Sequence, residues 1–414
     1  MLREGRFVRM CRRQFLYRSW PPEPALAVHD ILTAMVRALI LLSCLQPLVA
    51  QPAANFPGRN NWQHTAPASA GMDQAKIDEA IAWHRSHETK NPRDLRRSHD
   101  LSFAREAYGE PLGPFQPRGE PTGVIVRHGQ IVAEWGEPLR ADMTFSVTKS
   151  FLSSVVGLAF DHGLIRDLND PVKDYVPGEY FASGHNSRIS WDHLLRQTSD
   201  WEGTLWGKPD WADRPPKDIP FEQYIQRQHA EPGTTWKYND IRVNLLAYSI
   251  LQVWRRPLQQ ILRDYVMDPI GASSTWRWYG YDNAWVPLDG VMVQSPTGGG
   301  HYGGGMVISA EDMARFGLLT LHRGEWNGKQ ILSEQWAKWA LTPTKPNPGY
   351  GFMNWYLNTG RKLLPDAPEN VFCHIGNGAN VIYVDPSLDL VAVVRWIESG
   401  DLNGFVARVR AAVR

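Results

Sequence analysis

The stretch that decides the reading is Asp142–Ile165, DMTFSVTKSFLSSVVGLAFDHGLI. After Lys149, apolar residues recur at Leu152, Val155, Val156, Ala159 and Phe160, the spacing of one buried helical face. Ser146 and Lys149 therefore stand one turn apart on the same side, with the amine in reach of the hydroxyl. A serine hydroxyl is a weak nucleophile until a neighbouring base takes its proton. A lysine can serve as that base only where burial or nearby charge lowers its pKa. The apolar helix supplies the burial, and its N-terminus offers backbone N–H groups and a positive dipole end to an oxyanion. About one such Ser-x-x-Lys pattern is expected by chance in a chain of this length, so the motif needs support from elsewhere.

Composition sets the frame for that support. The 414 residues are 43% hydrophobic and 21% charged, ordinary for one large domain or two intimate ones. Net charge is +1, but residues 1–50 hold seven Arg against two Glu and one Asp, so the remainder is acidic at −3. No basic domain speaks for a nucleic-acid partner. The run MVRALILLSCLQPLVAQPAAN from Met35 has a short positive start, an apolar core and a small residue at Ala50. That is the layout of a secretory signal, and it predicts a periplasmic or secreted protein that starts at Met35. The run is too short and too interrupted for a stable membrane span. Lipid attachment at Cys44 is the alternative fate. With residues 1–50 removed only Cys373 remains, so no intramolecular disulfide is expected.

Along the chain, Asp73 to His87 reads as an amphipathic helix with Ile77, Ala80 and Ile81 inward. Residues 88–121 read as a long surface loop or site rim, punctuated by Pro and Gly. GVIVRHGQIVAEWG reads as a hairpin turning at His128 and Gly129. Near the other end, NVIYVDPSLDLVAVVRWI gives two apolar runs about a turn at Asp385 to Asp389, and Phe405 to Val413 closes with a helix. The arrangement predicts an antiparallel sheet built from both chain ends and flanked by helices, with a mostly helical insertion. The boundaries are 1–50 for leader and signal, 51–165 for the first part of the α/β domain, 166–297 for the helical part and 298–414 for the second part of the α/β domain.

Two further stretches bear on the chemistry. PGTTWKYNDIRVNLLAYSILQVW places Tyr238 in a polar turn just before a helix. VFCHIGNGANVIYVDP puts His374 and Gly376 on a strand edge, where glycine lets a substrate lie close to backbone. With the Ser146 motif, these three places carry a resemblance to the β-lactamase-related serine hydrolases. That group includes class C β-lactamases, DD-peptidases, family VIII carboxylesterases and 6-aminohexanoate-dimer hydrolase. The likeness runs from about Ala68 to the C-terminus, through LNDPVKDYVP, ISWDHLLRQTSDW, VMDPIGASSTWRW, GGGMVISAEDMARFGLL and GEWNGKQILS.

The resemblance implies a β-lactamase/DD-peptidase-like α+β fold and a small ester, amide or peptide substrate, with no cofactor and no metal. It implies Ser146 as acylated nucleophile, Lys149 as its proton acceptor and Tyr238 as the relay to the leaving group and then to water. The oxyanion site would be the backbone N–H groups of Ser146 and Asn377, beside the His374-Ile375-Gly376 triplet. Three departures bear on these roles. Asp240 stands where asparagine is usual, and an acid there would hold Lys149 as an ammonium and put its base role in doubt, or leave Tyr238 as a resting tyrosinate. His374 stands where β-lactamases and DD-peptidases carry a lysine for the substrate carboxylate. Neutral imidazole is poorly suited to that task, which favours esters or amides lacking the carboxylate. Asp200 replaces a glycine in QTSD.

The expected activity is thus an exported ester or amide hydrolase. A cell-wall or D-amino-acid peptidase, a β-lactamase and a non-catalytic ligand-binding relative are the alternatives. Gly298, Gly300 and Gly303 satisfy a dinucleotide-loop spacing without the strand–helix context it needs, and read better as a glycine-rich wall with His301 and Tyr302 as substrate contacts. No GxSxG, HExxH or paired CxxC occurs.

Overall fold

The computed structural model describes residues 55–414. The leader, the signal segment from Met35 and Cys44 lie outside the described residues. Six strands form the main antiparallel sheet: β1 Thr122–Arg127, β2 Gln130–Trp135, β3 Trp355–Leu357, β4 Phe372–Gly376, β5 Asn380–Asp385 and β6 Leu390–Arg395. Their spatial order is β3-β4-β5-β6-β1-β2, so the strand nearest the N-terminus pairs with the last one, Ile125 opposite Ala392. The β1–β2 hairpin turns at His128 and Gly129, both at positive φ (51° and 73°). Each turn residue therefore occupies the left-handed region that a tight two-residue hairpin demands.

The period of two along each strand sorts the sheet into two cores. On one face Ile125, Cys373, Val381, Tyr383 and Ala392 pack with Ile77 and Ala80 of α1 (Gln74–Ser86) and with Phe405 and Val409 of α5 (Leu402–Ala411). On the other, Val124, Val126, Ile382, Val391 and Val393 pack into the larger core. That core also holds Leu152, Val155 and Val156 of α2 (Thr148–Asp161), Leu245, Leu246 and Ile250 of α3 (Asp240–Trp254), and Phe316 of α4 (Ala310–Leu321). α2 is buried nearly all round, its small polar residues Ser150, Ser153 and Ser154 included, so Lys149 is the charged side chain that its buried positions hold.

The 166–297 region is not only helical. Arg277–Leu288 and Val291–Pro296 form a long hairpin that joins Gly305–Ile308 and Asp142–Met143 in a four-stranded antiparallel sheet. Ala284, Val286 and Leu288 are buried while Trp285 and Pro287 between them are exposed, a strand pattern that the dense aromatics before it obscure. This second sheet delivers Asp142–Met143 to the start of α2. Arg395, fully buried at the end of β6, clamps it there by donating to the carbonyls of Met143 (2.8 Å) and Ile308 (2.6 Å) and to Asn380 Oδ1 (2.8 Å). Among the described residues, no helix is long and apolar enough to cross a membrane.

Candidate active site

Ser146 sits in a single 3₁₀ turn, Phe145–Val147, that leads into α2. Phe145 has φ +46°, a left-handed conformation that costs a side-chain-bearing residue of order 1–3 kcal/mol. Its ring offsets this by packing with Leu95, Met143, Val307 and Trp396. The turn is fixed further by Thr144 N–H donating to Met306 O (2.9 Å) and Val147 N–H donating to Thr144 O (3.2 Å). Ser146 itself stays half-buried at the surface of this construction.

Lys149 is fully buried, and its Nζ donates to Ser146 Oγ (3.0 Å) and to Asp240 Oδ1 (2.5 Å). Asp240 opens α3, whose N-cap Asn239 accepts from Arg242 N–H and donates to the Asp210 carbonyl. Glycine at 299 makes the pairing sterically feasible, because a Cβ there would lie 1.8 Å from Asp240 Oδ1 and 2.2 Å from Lys149 Nζ. The expected glycine-rich wall thus stands directly against the lysine. The Tyr238 ring covers Lys149 Nζ at 4.6 Å, and its hydroxyl donates toward Asn354 Oδ1 at 3.5 Å. Asn354 in turn donates to the Ile375 carbonyl (2.7 Å), which ties Tyr238 to the end of β4. That strand end touches the serine turn: a Cβ at Gly376 would fall 2.0 Å from Thr144 O and 3.1 Å from Ser146 N. Asn377 follows in the turn, half-buried.

Electrostatics address the doubt raised by Asp240. Burial pushes Lys149 below the usual ammonium range, against the opposing pull of Asp240. Burial would raise Asp240, but Lys149 and Arg214 together hold its carboxyl well below the usual range. Burial, reinforced by Asp240, pushes the Tyr238 phenol far up, which disfavours a resting tyrosinate. Arg214 is the site residue that sequence reasoning misses. Its Nη1 donates to Asp240 Oδ2 (2.8 Å) and contacts Asp213, whose other oxygen accepts from Asp240 N–H.

His374 does not face the site. It is fully buried, with Nδ1 2.9 Å from Ser150 Oγ, Nε2 3.4 Å from Thr320 Oγ1, and its ring packed edge-on against Trp355 (4.8 Å). Burial pushes its pKa down to about 3. Strand alternation explains the correction: His374 lies on the same face of β4 as Phe372, toward the larger core and α4. It is an interior residue and offers no contact to a substrate carboxylate. His301 and Tyr302, expected as substrate contacts, are buried as well. His301 Nε2 bonds Glu106 (2.9 Å) and its Nδ1 lies 3.9 Å from Asp240 Oδ2.

Asp200 also finds its explanation. Its φ of +40° shows why glycine suits the position, and its carboxylate accepts from Arg242 (2.6 Å), Arg227 (3.1 Å) and Ala230 N–H (2.8 Å). These contacts join the QTSD loop to the first turn of α3, and so to Tyr238 and Asp240. Glu106, Asp213 and His301 bring three ligand atoms within 4.8 Å of one another. Glu106 Oε2 and His301 Nε2 are paired with each other and Asp213 Oδ1 with the Arg214 guanidinium, while His301 Nδ1 is buried without a hydrogen-bond partner.

A fold of this kind, with a serine–lysine pair beneath a tyrosine at the junction of sheet and helices, defines a class of hydrolases. The family model described as Beta-lactamase matches residues 122–401, and the chain belongs to that family. It is 25% identical over 252 residues to "Putative penicillin-binding protein PbpX" of Bacillus subtilis (strain 168), covering 56% of this chain and 61% of that protein. It is 23% identical over 241 residues to the 6-aminohexanoate-dimer hydrolase of Paenarthrobacter ureafaciens, covering 53% and 56%. The chain thus spans about three fifths of the length of these relatives. A solved family VIII carboxylesterase superposes with a TM-score of 0.53 at 16% identity, over 84% of this chain and 98% of that one, which shows a shared fold. The family is one of serine hydrolases that includes esterases and amidases.

Proposed function

We propose that this protein hydrolyses ester or amide bonds of a small substrate through an acyl-enzyme on Ser146. The observation that carries the reading is the 3.0 Å contact between Ser146 Oγ and the fully buried amine of Lys149, whose pKa burial lowers. Lys149 as a neutral amine takes the Ser146 proton while Oγ attacks the substrate carbonyl. The backbone N–H groups of Ser146 and Asn377 receive the oxyanion, a role supported by the close approach of Gly376, the residue before Asn377, to the serine turn. Tyr238, neutral at rest, gives its proton to the leaving alkoxide or amine; the phenolate so formed takes one from the water that attacks the acyl-enzyme, and the Lys149 ammonium returns its proton to Ser146 Oγ as that oxygen leaves.

The interior position of His374 removes the fixed cation that a β-lactam or D-amino-acid carboxylate would need at that place. Esters and amides without a carboxylate are therefore the favoured substrates, in line with the carboxylesterase likeness. Signal cleavage near residue 50 would place the enzyme in the periplasm or outside the cell, supported by the sequence pattern from Met35. The test is a burst experiment with p-nitrophenyl butyrate and, in parallel, nitrocefin. A stoichiometric burst with the ester and slow or no turnover of the β-lactam supports the reading. Rapid nitrocefin turnover overturns the substrate assignment.

A further inference from the structure

Asp240 presents a chemical problem that its surroundings answer. A carboxylate 2.5 Å from a buried lysine ordinarily holds the proton on the amine, which would disable the proposed base. Here the second carboxylate oxygen is taken by Arg214 at 2.8 Å. Asp213, with no exposed surface, contacts the same Arg214 Nη1 and accepts from Asp240 N–H, so it fixes both partners. The order Lys149–Asp240–Arg214–Asp213 alternates cation and anion within a few ångströms. Of the two cations only lysine can give up its proton, since guanidinium stays charged throughout the accessible pH range.

We propose that Arg214 is a positioning residue that keeps Lys149 available as a neutral amine, by sharing the Asp240 carboxylate and by repelling a second buried positive charge. The inference rests on the serine-hydrolase reading above. The groups facing Lys149 are few and can be named. Ser146 faces it from its own turn, and Asp240 and Tyr238 from the start of α3. Asp213 and Arg214 approach from the preceding loop, and His301, backed by Glu106, from the glycine-rich segment. Arg214 is the one permanently charged cation among them. Burial sets the downward direction of the lysine pKa, Asp240 opposes it, and Arg214 adds to it. The guanidinium also lies 5.1 Å from the Tyr238 ring and 5.4 Å from that of Phe103.

The experiment is the pH dependence of fluorophosphonate labelling for wild type, Arg214→Gln and Arg214→Lys. Removing a like charge at this range moves a pKa by about one unit or more. The acid limb of Arg214→Gln should therefore rise by about one pH unit, roughly a tenfold loss of labelling rate on that limb, with recovery at alkaline pH. Arg214→Lys keeps the cation and should stay within about half a unit of wild type. A uniform loss at every pH in Arg214→Gln, or an unshifted profile, overturns the proposal. Should Arg214→Gln not fold, Arg214→Met is read in its place: an acid limb raised by about one pH unit supports the proposal, and an unmoved limb or a uniform loss overturns it. Labelling of wild type at Ser146 is the control. Its absence would refute the hydrolase reading itself, whereas labelled wild type with an unshifted variant refutes only the role of Arg214.

Discussion

Gly376→Ala puts the geometry of the site under a measurable strain. The added Cβ would start 2.0 Å from Thr144 O, while real Cβ contacts essentially never fall below 3.0 Å, so strand end and serine turn must separate by about 1 Å. The turn is poorly able to yield: Thr144 is bonded to Met306, Phe145 is locked in its left-handed conformation by packing, and Arg395 clamps the adjoining strand. The displacement therefore falls largely on β4 and on the Asn377 N–H that follows it. A shift of about 1 Å in a catalytic donor costs about 100-fold in rate, close to ~2.7 kcal/mol of transition-state stabilisation. Overpacking costs a further ~1–3 kcal/mol of fold stability. Stopped-flow release of p-nitrophenol gives the acylation rate, and a thermal melt gives stability. A Gly376→Ala variant that folds and acylates within about threefold of wild type would refute the claim that Gly376 sets the oxyanion pair.

Other substitutions separate the remaining roles. Asp240→Asn removes the counter-charge that opposes deprotonation of Lys149, so the acid limb of acylation should move to lower pH, opposite to Arg214→Gln; an unmoved limb would discard the pairing. His374→Lys should not redirect the enzyme toward carboxylate-bearing substrates. It buries an ammonium among Trp355, Phe316 and Phe372 and should lower stability by several kcal/mol, which a melt and a comparison of relative rates will check. Burial and the neighbouring Glu134 push Glu311 up to about 7. Because the folded state then binds more protons than the unfolded chain between about pH 4.5 and 7, stability falls as pH rises through that window. Glu311→Gln should flatten that decline and raise stability at pH 8 by about 1 kcal/mol, after allowance for solvent screening of a half-exposed group.

The fold is legible wherever burial imposes a clean period. The β1–β2 hairpin, the β5–β6 hairpin and helices α1 and α2 stand close to where alternation and helical spacing put them, with α1 capped by Asp73 as expected of an Asp before an amphipathic run. The 277–296 hairpin escapes the sequence reading because its aromatics fall on both faces, so the chain shows density of Trp and Tyr rather than a period of two. At the site, Ser146, Lys149, Tyr238 and Asp240 are brought together by two helix N-termini, and helix starts carry local signals. Arg214, itself at positive φ, lies in an irregular loop with no periodicity, and Asp240 is already matched in the sequence by Lys149, so nothing local points to a second cation. His374 is misplaced by the sequence reading because a strand edge is inferred without its facing: one residue either way decides between pocket and core.

Every role assigned above depends on acylation of Ser146 with Lys149 as its base. Intact-protein mass spectrometry after fluorophosphonate treatment, followed by peptide mapping, measures this directly. A single adduct on Ser146 is expected, absent in Ser146→Ala and formed at least about 100-fold more slowly in Lys149→Ala. An adduct that persists in Ser146→Ala, or full labelling speed without Lys149, would contradict it.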